Sequence, residues 1–484
     1  MAITLIGDRD FDPVPSIKSK CLRVNLNEHI YGTFNEIGAG QETVRNFFRA
    51  GGASGTIAKA MSAYDKDFSD AIYGVEKNGR YVTELRLRTM LEKEMQHMEQ
   101  RISREKHPKK LFFSYANTVA TIDFAKKYKG HGWVGIRYQT DPEQTEYNEI
   151  TLHVRFHEND ARHQQNTLGL LGVNLIYGAY YKYDNPRKLL QYLYDHIDKD
   201  KLEIDTINFS GPVFKDVDNR IMSLQLVKNG MTEAIMFGPD GNNVLPARIL
   251  YKKNILALRG SFRPVTRVNM DILECSYDMF KKEDKVDPEK IQVVFEITLS
   301  NLMAEGEIDE TDFMDRARLL CSLGQTVLIS KFKEYYKLVE YFSNYSKEKM
   351  SLAMGVNNFI EIFNEKYYRH LSGGILEAFG KLFYKDLIVY MYPLKNHDTG
   401  EITNSHNLIL DKHVKELYKF FKHNRKLKDL ENYNPKYLNI FSREVLQKIK
   451  EREPGWEKAL PEGIPEIIKE KGLFNYREVS IRDF

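Results

Sequence analysis

The sequence predicts an α/β fold: mostly parallel, Rossmann-like sheets, preceded by an α+β N-terminal region and followed by a helical C-terminal appendage. Three observations carry this. From residue 255 onward apolar runs alternate with amphipathic stretches: 255–258, 291–299, 326–330, 350–355 and 387–393 read as strands, and 309–323, 335–345, 358–365 and 375–383 as helices. Strands separated by helices need crossovers and so form parallel βαβ units. Earlier, three strand-like runs follow one another at 111–115, 133–138 and 150–156. Beyond 394 the chain turns polar and helical, broken by Pro435, Pro454, Pro461 and Pro465. At 484 residues the chain is too long for one core. The expected divisions are 1–108 (α+β region), 109–240 (first α/β half), 241–394 (second, Rossmann-like half) and 395–484 (appendage).

In order along the chain, 22–26 reads as a short strand. Two glycine-rich turns follow, one holding Gly32, Gly38 and Gly40, the other Gly51, Gly52 and Gly55, with a helical pattern in Val44, Phe47 and Phe48 between them. A P-loop would place its lysine directly after the last glycine, whereas Lys59 lies four residues beyond Gly55. Both turns therefore read as helix punctuation with close packing. Residues 83–106 form an amphipathic helix with Leu87, Met90, Leu91, Met95 and Met98 on its apolar face, ended by His107 and Pro108.

In 150–156 the two-residue period puts His153, Arg155 and His157 on one face. Two histidines so spaced on a strand stand too far apart to share a metal easily, and no His-Glu-x-x-His helix is present, so no metal site is predicted. The face reads as solvated or hydrogen-bonded. Gly169, Gly172 and Gly178 mark a tightly packed helix over 168–177. A helix at 186–197, a strand at 204–209, a helix at 218–228 and a strand at 234–237 complete the first half.

The centre of the chain is 249–274. An apolar strand run is broken by Gly260 and Pro264, and a helical pattern starts near Val268. Strand, tight turn and helix start make the usual frame of a phosphate site, because the first N–H groups of a helix lack internal partners. Between Asp240 and Asp271 there is no acid, while Arg248, Lys252, Lys253, Arg259, Arg263 and Arg267 all fall inside. Such a stretch is an anion site, a basic solvated loop, or a set of arginines paired with acids elsewhere in the fold. Ser330, Lys331 and residues 355–357 also fall at predicted strand ends, where parallel sheets bind ligands.

Composition limits the partners. With 71 basic and 68 acidic residues the net charge is +3, too mild for a nucleic-acid partner. Cys21, Cys275 and Cys321 are odd in number and far apart, which predicts a reducing compartment. The start carries Asp8, Asp10 and Asp12, not a signal pattern, and no apolar run approaches the roughly 20 residues of a membrane span. A cytoplasmic protein with no membrane partner is expected. The 29 tyrosines and 27 phenylalanines suit half-buried surfaces, including those of a homo-oligomer.

Gly260, Ser261, Phe262, Pro264, Val265, Thr266, Ile272 and Leu273 resemble the nucleotidyltransferase signature of phosphopantetheine and nicotinate-nucleotide adenylyltransferases, roughly G-[ST]-F-D-P-[VI]-[TH]-x-G-H-x-x-[IL]-[IL]. Arg263 stands at its aspartate, Val268 at its glycine and Asn269 at its final histidine. Over nearly its whole length the chain also resembles a widespread set of bacterial proteins with no settled activity. The signature implies adenylyl transfer from ATP, with Mg²⁺, to a small phosphorylated acceptor. Gly260, Ser261, Phe262 and Thr266 would then line the phosphates, and Arg259, Arg263, Arg267 and Lys331 would offset their charge, with Asn269 in the histidine's place. A different phosphate-metabolite enzyme would use the same residues. The alternative is a non-catalytic, self-associating scaffold or regulatory protein on a degenerate nucleotide-binding fold, which the missing histidine favours.

Overall fold

The computed structural model describes residues 14–77, 79–127, 129–303, 308–396 and 399–477. Asp8, Asp10 and Asp12 lie outside them. The chain divides into two compact units, Met1–Thr232 and Glu233–Phe484.

The first unit runs α1 (Ile17–Asn25), β1 (Ile30–Gly38), α2 (Glu42–Ala50), β2 (Ile57–Ala63), α3 (Lys66–Tyr73), α4 (Glu84–Arg101), β3 (Leu111–Ala120), β4 (His131–Tyr138), β5 (Asn148–Phe156), α5 (Ala161–Tyr181), α6 (Pro186–Tyr192), β6 (Leu202–Ser210) and α7 (Asn219–Lys228). Its sheet has the order β2-β1-β3-β4-β5-β6. β1 is parallel to β2 and β3, and β4, β5 and β6 continue antiparallel. The expected apolar face of α4 is buried, and Thr83 Oγ1 caps the helix by accepting from Arg86 N–H at 3.0 Å. α5 is buried on almost every side. Gly172 makes that possible, since a Cβ there would stand 2.3 Å from Thr43 Oγ1 on α2.

Several expectations need correcting in this unit. Residues 22–26 are not a strand. They lie in α1, where Ser16 Oγ caps Ser19 N–H and Cys21, Val24 and Asn25 turn one face inward at helical spacing. The first glycine-rich turn is mostly β1, a central strand buried on both faces, and the second turn runs straight into β2. The division at 108/109 does not separate units, because β3 pairs with β1 from Ile30↔Leu111 to Gly38↔Val119.

The second unit contains β7 (Ala234–Phe237), β8 (Asn243–Val244), α8 (Pro246–Leu250), β9 (Asn254–Arg259), α9 (Arg267–Phe280), β10 (Ile291–Thr298), α10 (Leu299–Leu302), α11 (Glu310–Ser322), β11 (Thr326–Ser330), α12 (Tyr335–Ser343), β12 (Met350–Gly355), α13 (Val356–Ile362), α14 (Gly374–Leu382) and β13 (Ile388–Tyr392). A ribbon of β14 (Leu394–Lys395) and β15 (Ile402–Thr403) follows, then α15 (Lys415–His423), β16 (Leu427–Asp429), α16 (Ser442–Glu451) and α17 (Ile464–Lys471). The main sheet has the order β16-β13-β12-β9-β10-β11-β7-β8, with β9 to β13 and β16 parallel. The alternating half is thus the parallel, open α/β sheet that its sequence predicts. Two boundaries move. β7 pairs antiparallel with β11, which carries the division back from 240 to 232. The region after 394 is helical in α15, α16 and α17, as expected, but it also adds β16 to the sheet beside β13.

Many of the aromatics fill these interiors. Tyr115, Tyr138, Tyr177, Tyr180 and Tyr390 are among the largest fully buried side chains. Phe383 stacks on Phe421 at 4.2 Å and Phe363 meets Phe379 at 4.9 Å. Among the described residues no helix is long and apolar enough to cross a membrane.

Candidate functional site

Open parallel sheets offer a crevice where the strand order reverses, beyond the carboxyl ends of the two strands involved. In the second unit the chain proceeds from β9 to β10 and β11 on one side, then returns to place β12 on the other side of β9. The reversal therefore lies between β9 and β12. Gly260 to Arg263 follow β9, Ser330 and Lys331 close β11, and 355–357 close β12, so all three predicted segments sit at carboxyl ends.

The side chains at this edge are already engaged with the protein. Arg259 donates Nε and Nη2 to the two carboxylate oxygens of Glu296 at 2.6 and 2.9 Å, and Nη1 to the Lys333 carbonyl at 3.2 Å. The Tyr335 ring lies 4.2 Å from its guanidinium. Glu296 is fully buried on β10 and also accepts from Ser330 Oγ at 2.6 Å. Burial opposes the Arg259 charge, but Glu296 outweighs it and the guanidinium pKa lies above its usual value. Arg263 Nε donates to Asp312 Oδ1 at 2.5 Å, and Asp312 also pairs with Arg316. Arg267 Nε donates to the Lys458 carbonyl at 3.0 Å, and Lys331 Nζ lies 3.9 Å from Glu233.

The turn residues have structural work as well. Asn269 Oδ1 accepts from Thr266 N–H at 2.9 Å and from Thr266 Oγ at 3.1 Å, closing the start of α9 on itself. Phe262 is buried at φ +46, a left-handed conformation costly for a bulky residue, and its ring packs 5.1 Å from that of Phe295. Gly260 is required beneath it, since a Cβ there would come within 2.9 Å of the Phe262 ring. Ser261 is exposed, and its carbonyl accepts from Arg316. A 250 Å³ cavity beside Arg263 is lined by Asp309, Asp312 and Asp315 as well as Arg263, Arg316 and Lys450, so it carries no clear positive field.

At this edge a phosphate would compete with Glu296 for Arg259 and with Asp312 for Arg263, and breaking a buried pair costs about 3–5 kcal/mol. Among the described residues no group of three or more His, Cys, Asp or Glu could hold a metal ion.

The first unit has its own reversal, between β1 and β3. There Glu36 and Asn117 face each other across the two strands. Glu36 is 1% exposed, and burial pushes its pKa up to about 8 despite hydrogen bonds from Thr43, Asn117 and the Thr43 and Val44 backbone. Asn117 Nδ2 donates to it at 3.1 Å, and Tyr115 OH lies 3.0 Å from Thr43 Oγ1. Gln41 makes no side-chain cap, so this distant carboxyl group serves the start of α2. Sequence reading passed over Glu36, although an acid among apolar residues and glycines before a helical pattern was the available signal. On the predicted histidine face, His153 is buried, as expected of a hydrogen-bonded residue. Its partners are His131 and Asp205, which no local spacing connects.

Fold and sites together define a two-unit α/β protein with a strand-order reversal in each sheet. No protein-family model matches the chain, and no curated protein matches it. Among solved structures it is similar to a competence-damaged protein (CinA) superfamily protein from Enterobacter cloacae, at 12% identity and a TM-score of 0.25, over 36% of this chain and 99% of that one. It is also similar to a competence/damage inducible protein from Agrobacterium tumefaciens, at 14% identity and a TM-score of 0.20, over 30% of this chain and 83% of that one. Likeness at these scores carries no functional argument.

Proposed function

We propose that the second unit is a non-catalytic scaffold or regulatory module, built on a doubly wound frame of the nucleotide-binding kind whose phosphate end is closed by its own ion pairs. The observation that carries this reading is the bidentate Arg259–Glu296 pair at the carboxyl edge, repeated in kind by Arg263–Asp312. The turn is then a joint between β9 and α9, held by Gly260 under Phe262 and by Asn269 on Thr266. Self-association is the remaining role, and a second copy of the chain the partner. Light scattering at micromolar concentration should then give a mass above the single-chain 56.6 kDa.

A thermal-shift titration with ATP or ADP and Mg²⁺ tests the closed edge. A ligand selective for the folded state at a hundred times its Kd stabilises by about 2.7 kcal/mol, which such a titration resolves. No shift is expected. A saturable shift abolished by Arg263→Ala would instead support the second reading, a phosphate-binding, adenylyltransferase-like site. What favours that reading is position alone: Gly260 and Gly355 flank the reversal between β9 and β12.

A further inference from the structure

The first unit holds a line of side chains that the reading of the second unit does not use. Between β5 and β6 the register shifts: His153 pairs with Thr206 and Val154 with Ile204, leaving Asp205 as an extra residue. A bulge of this kind re-aims a side chain. Here Asp205 Oδ1 lies 2.7 Å from His153 Nδ1, and His153 Nε2 lies 3.2 Å from His131 Nδ1 on β4. His153 and Asp205 are 5% and 6% exposed, and Trp133, 4% exposed, sets its ring 5.1 Å from that of His153. His131 is only partly buried, so the line runs from the interior outward.

With both rings neutral, hydrogen-bond chemistry orders the protons along this line. A carboxylate only accepts, so a neutral His153 carries its proton on Nδ1 and presents Nε2 as an acceptor. A neutral His131 then donates from Nδ1, and its own lone pair is on Nε2. We propose that Asp205, His153 and His131 form a one-proton relay whose outer end, His131 Nε2, is a general base for water or a hydroxyl adding to a carbonyl carbon. As the nucleophile's oxygen bonds to carbon, its proton passes to His131 Nε2. The His131 Nδ1 proton moves to His153 Nε2, and the resulting imidazolium rests against Asp205. Collapse of the adduct breaks the bond to the leaving group, which takes a proton back through the same path. His131 is the catalytic residue; His153 and Asp205 are positioning residues.

The surroundings favour an unprotonated outer imidazole. Burial first, then repulsion from His153 whenever that ring is itself protonated, push the His131 pKa down to about 4, with Arg155 and Arg80 acting in the same direction and Asp205 opposing. Glu203 on β6 lies 3.7 Å from Arg155 and 3.8 Å from His157 and accepts from Thr232 Oγ1 at 2.6 Å. That carboxylate is therefore engaged beside the relay.

Two measurements on the full chain test the proposal. Nitrogen NMR of labelled histidine at neutral pH should show His131 with an unprotonated Nε2 and a protonated Nδ1, and His153 with a protonated Nδ1. Asp205→Asn removes the carboxylate that holds the His153 Nδ1 proton, so the tautomer preference of both rings should weaken. Hydrolysis of p-nitrophenyl acetate, an activated ester, should fall about tenfold in His131→Ala, less than for a base whose pKa matches the working pH. It should keep its rate in His157→Ala and change its pH profile in Asp205→Asn. The opposite tautomers in the wild type, or equal ester hydrolysis by wild type and His131→Ala, would overturn the proposal. Neither of these depends on whether Asp205→Asn folds.

Discussion

The two sheets each bury a glutamate near their reversal, and the two glutamates are handled in opposite ways. Glu296 meets a guanidinium in a fork and stays within a charged pair. Glu36 is met by Thr43, Asn117 and backbone N–H groups, and burial pushes its pKa up to about 8. A desolvated carboxyl group either finds a cation or keeps its proton. The first solution uses up an arginine that sequence reading offers to a ligand; the second leaves no charge at the crevice near neutral pH.

The largest effect expected from this contrast is at Glu296. Glu296→Gln leaves Arg259 buried without its counter-charge and should destabilise the second unit by about 3–5 kcal/mol in urea unfolding. Glu36→Gln should do the reverse, increasingly so as pH rises above about 4.5. With a folded pKa of about 8 against an ordinary 4.5, folded protein keeps the proton that unfolded chain releases. Stability is therefore lost as pH rises from about 4.5 to 8 and levels off above, by up to about 5 kcal/mol. Unfolding curves of Glu36→Gln should lack that decline, and a decline equal to the wild type's would show that Glu36 is not its source.

A smaller effect separates joint from cradle. Gly260→Ala would press a Cβ into the Phe262 ring and should cost about 1–3 kcal/mol of stability. A glycine kept open only for a phosphate would lose little stability on the same change.

The parallel half was legible because its strands are buried on both faces and read as apolar runs, as in Ile255, Leu256, Ala257 and Leu258. β1 was not, since Gly32, Thr33, Asn35 and Glu36 look like a turn until β2 and β3 enclose them. The tail hid β16 for another reason: its three residues become a strand only by pairing with β13. The position of the candidate edge was readable from alternation alone. Its chemistry was not, because Glu296 and Asp312 lie 37 and 49 residues from the arginines they hold. An acid-free stretch in the chain is thus not an acid-free place in the fold. The Asp205 bulge is likewise invisible to a strict two-residue period.

The claim that Arg259 is committed to Glu296, and not reserved for a ligand, can be tested by a double-mutant cycle. Stabilities of the wild type, Arg259→Met, Glu296→Gln and the double variant would be measured by urea unfolding without nucleotide. The account predicts strong coupling, on the order of 2 kcal/mol or more, with the double variant far less damaged than the two single losses sum to. Additive losses, with coupling below about 0.5 kcal/mol, would contradict it and return Arg259 to the pool of residues available to an anion.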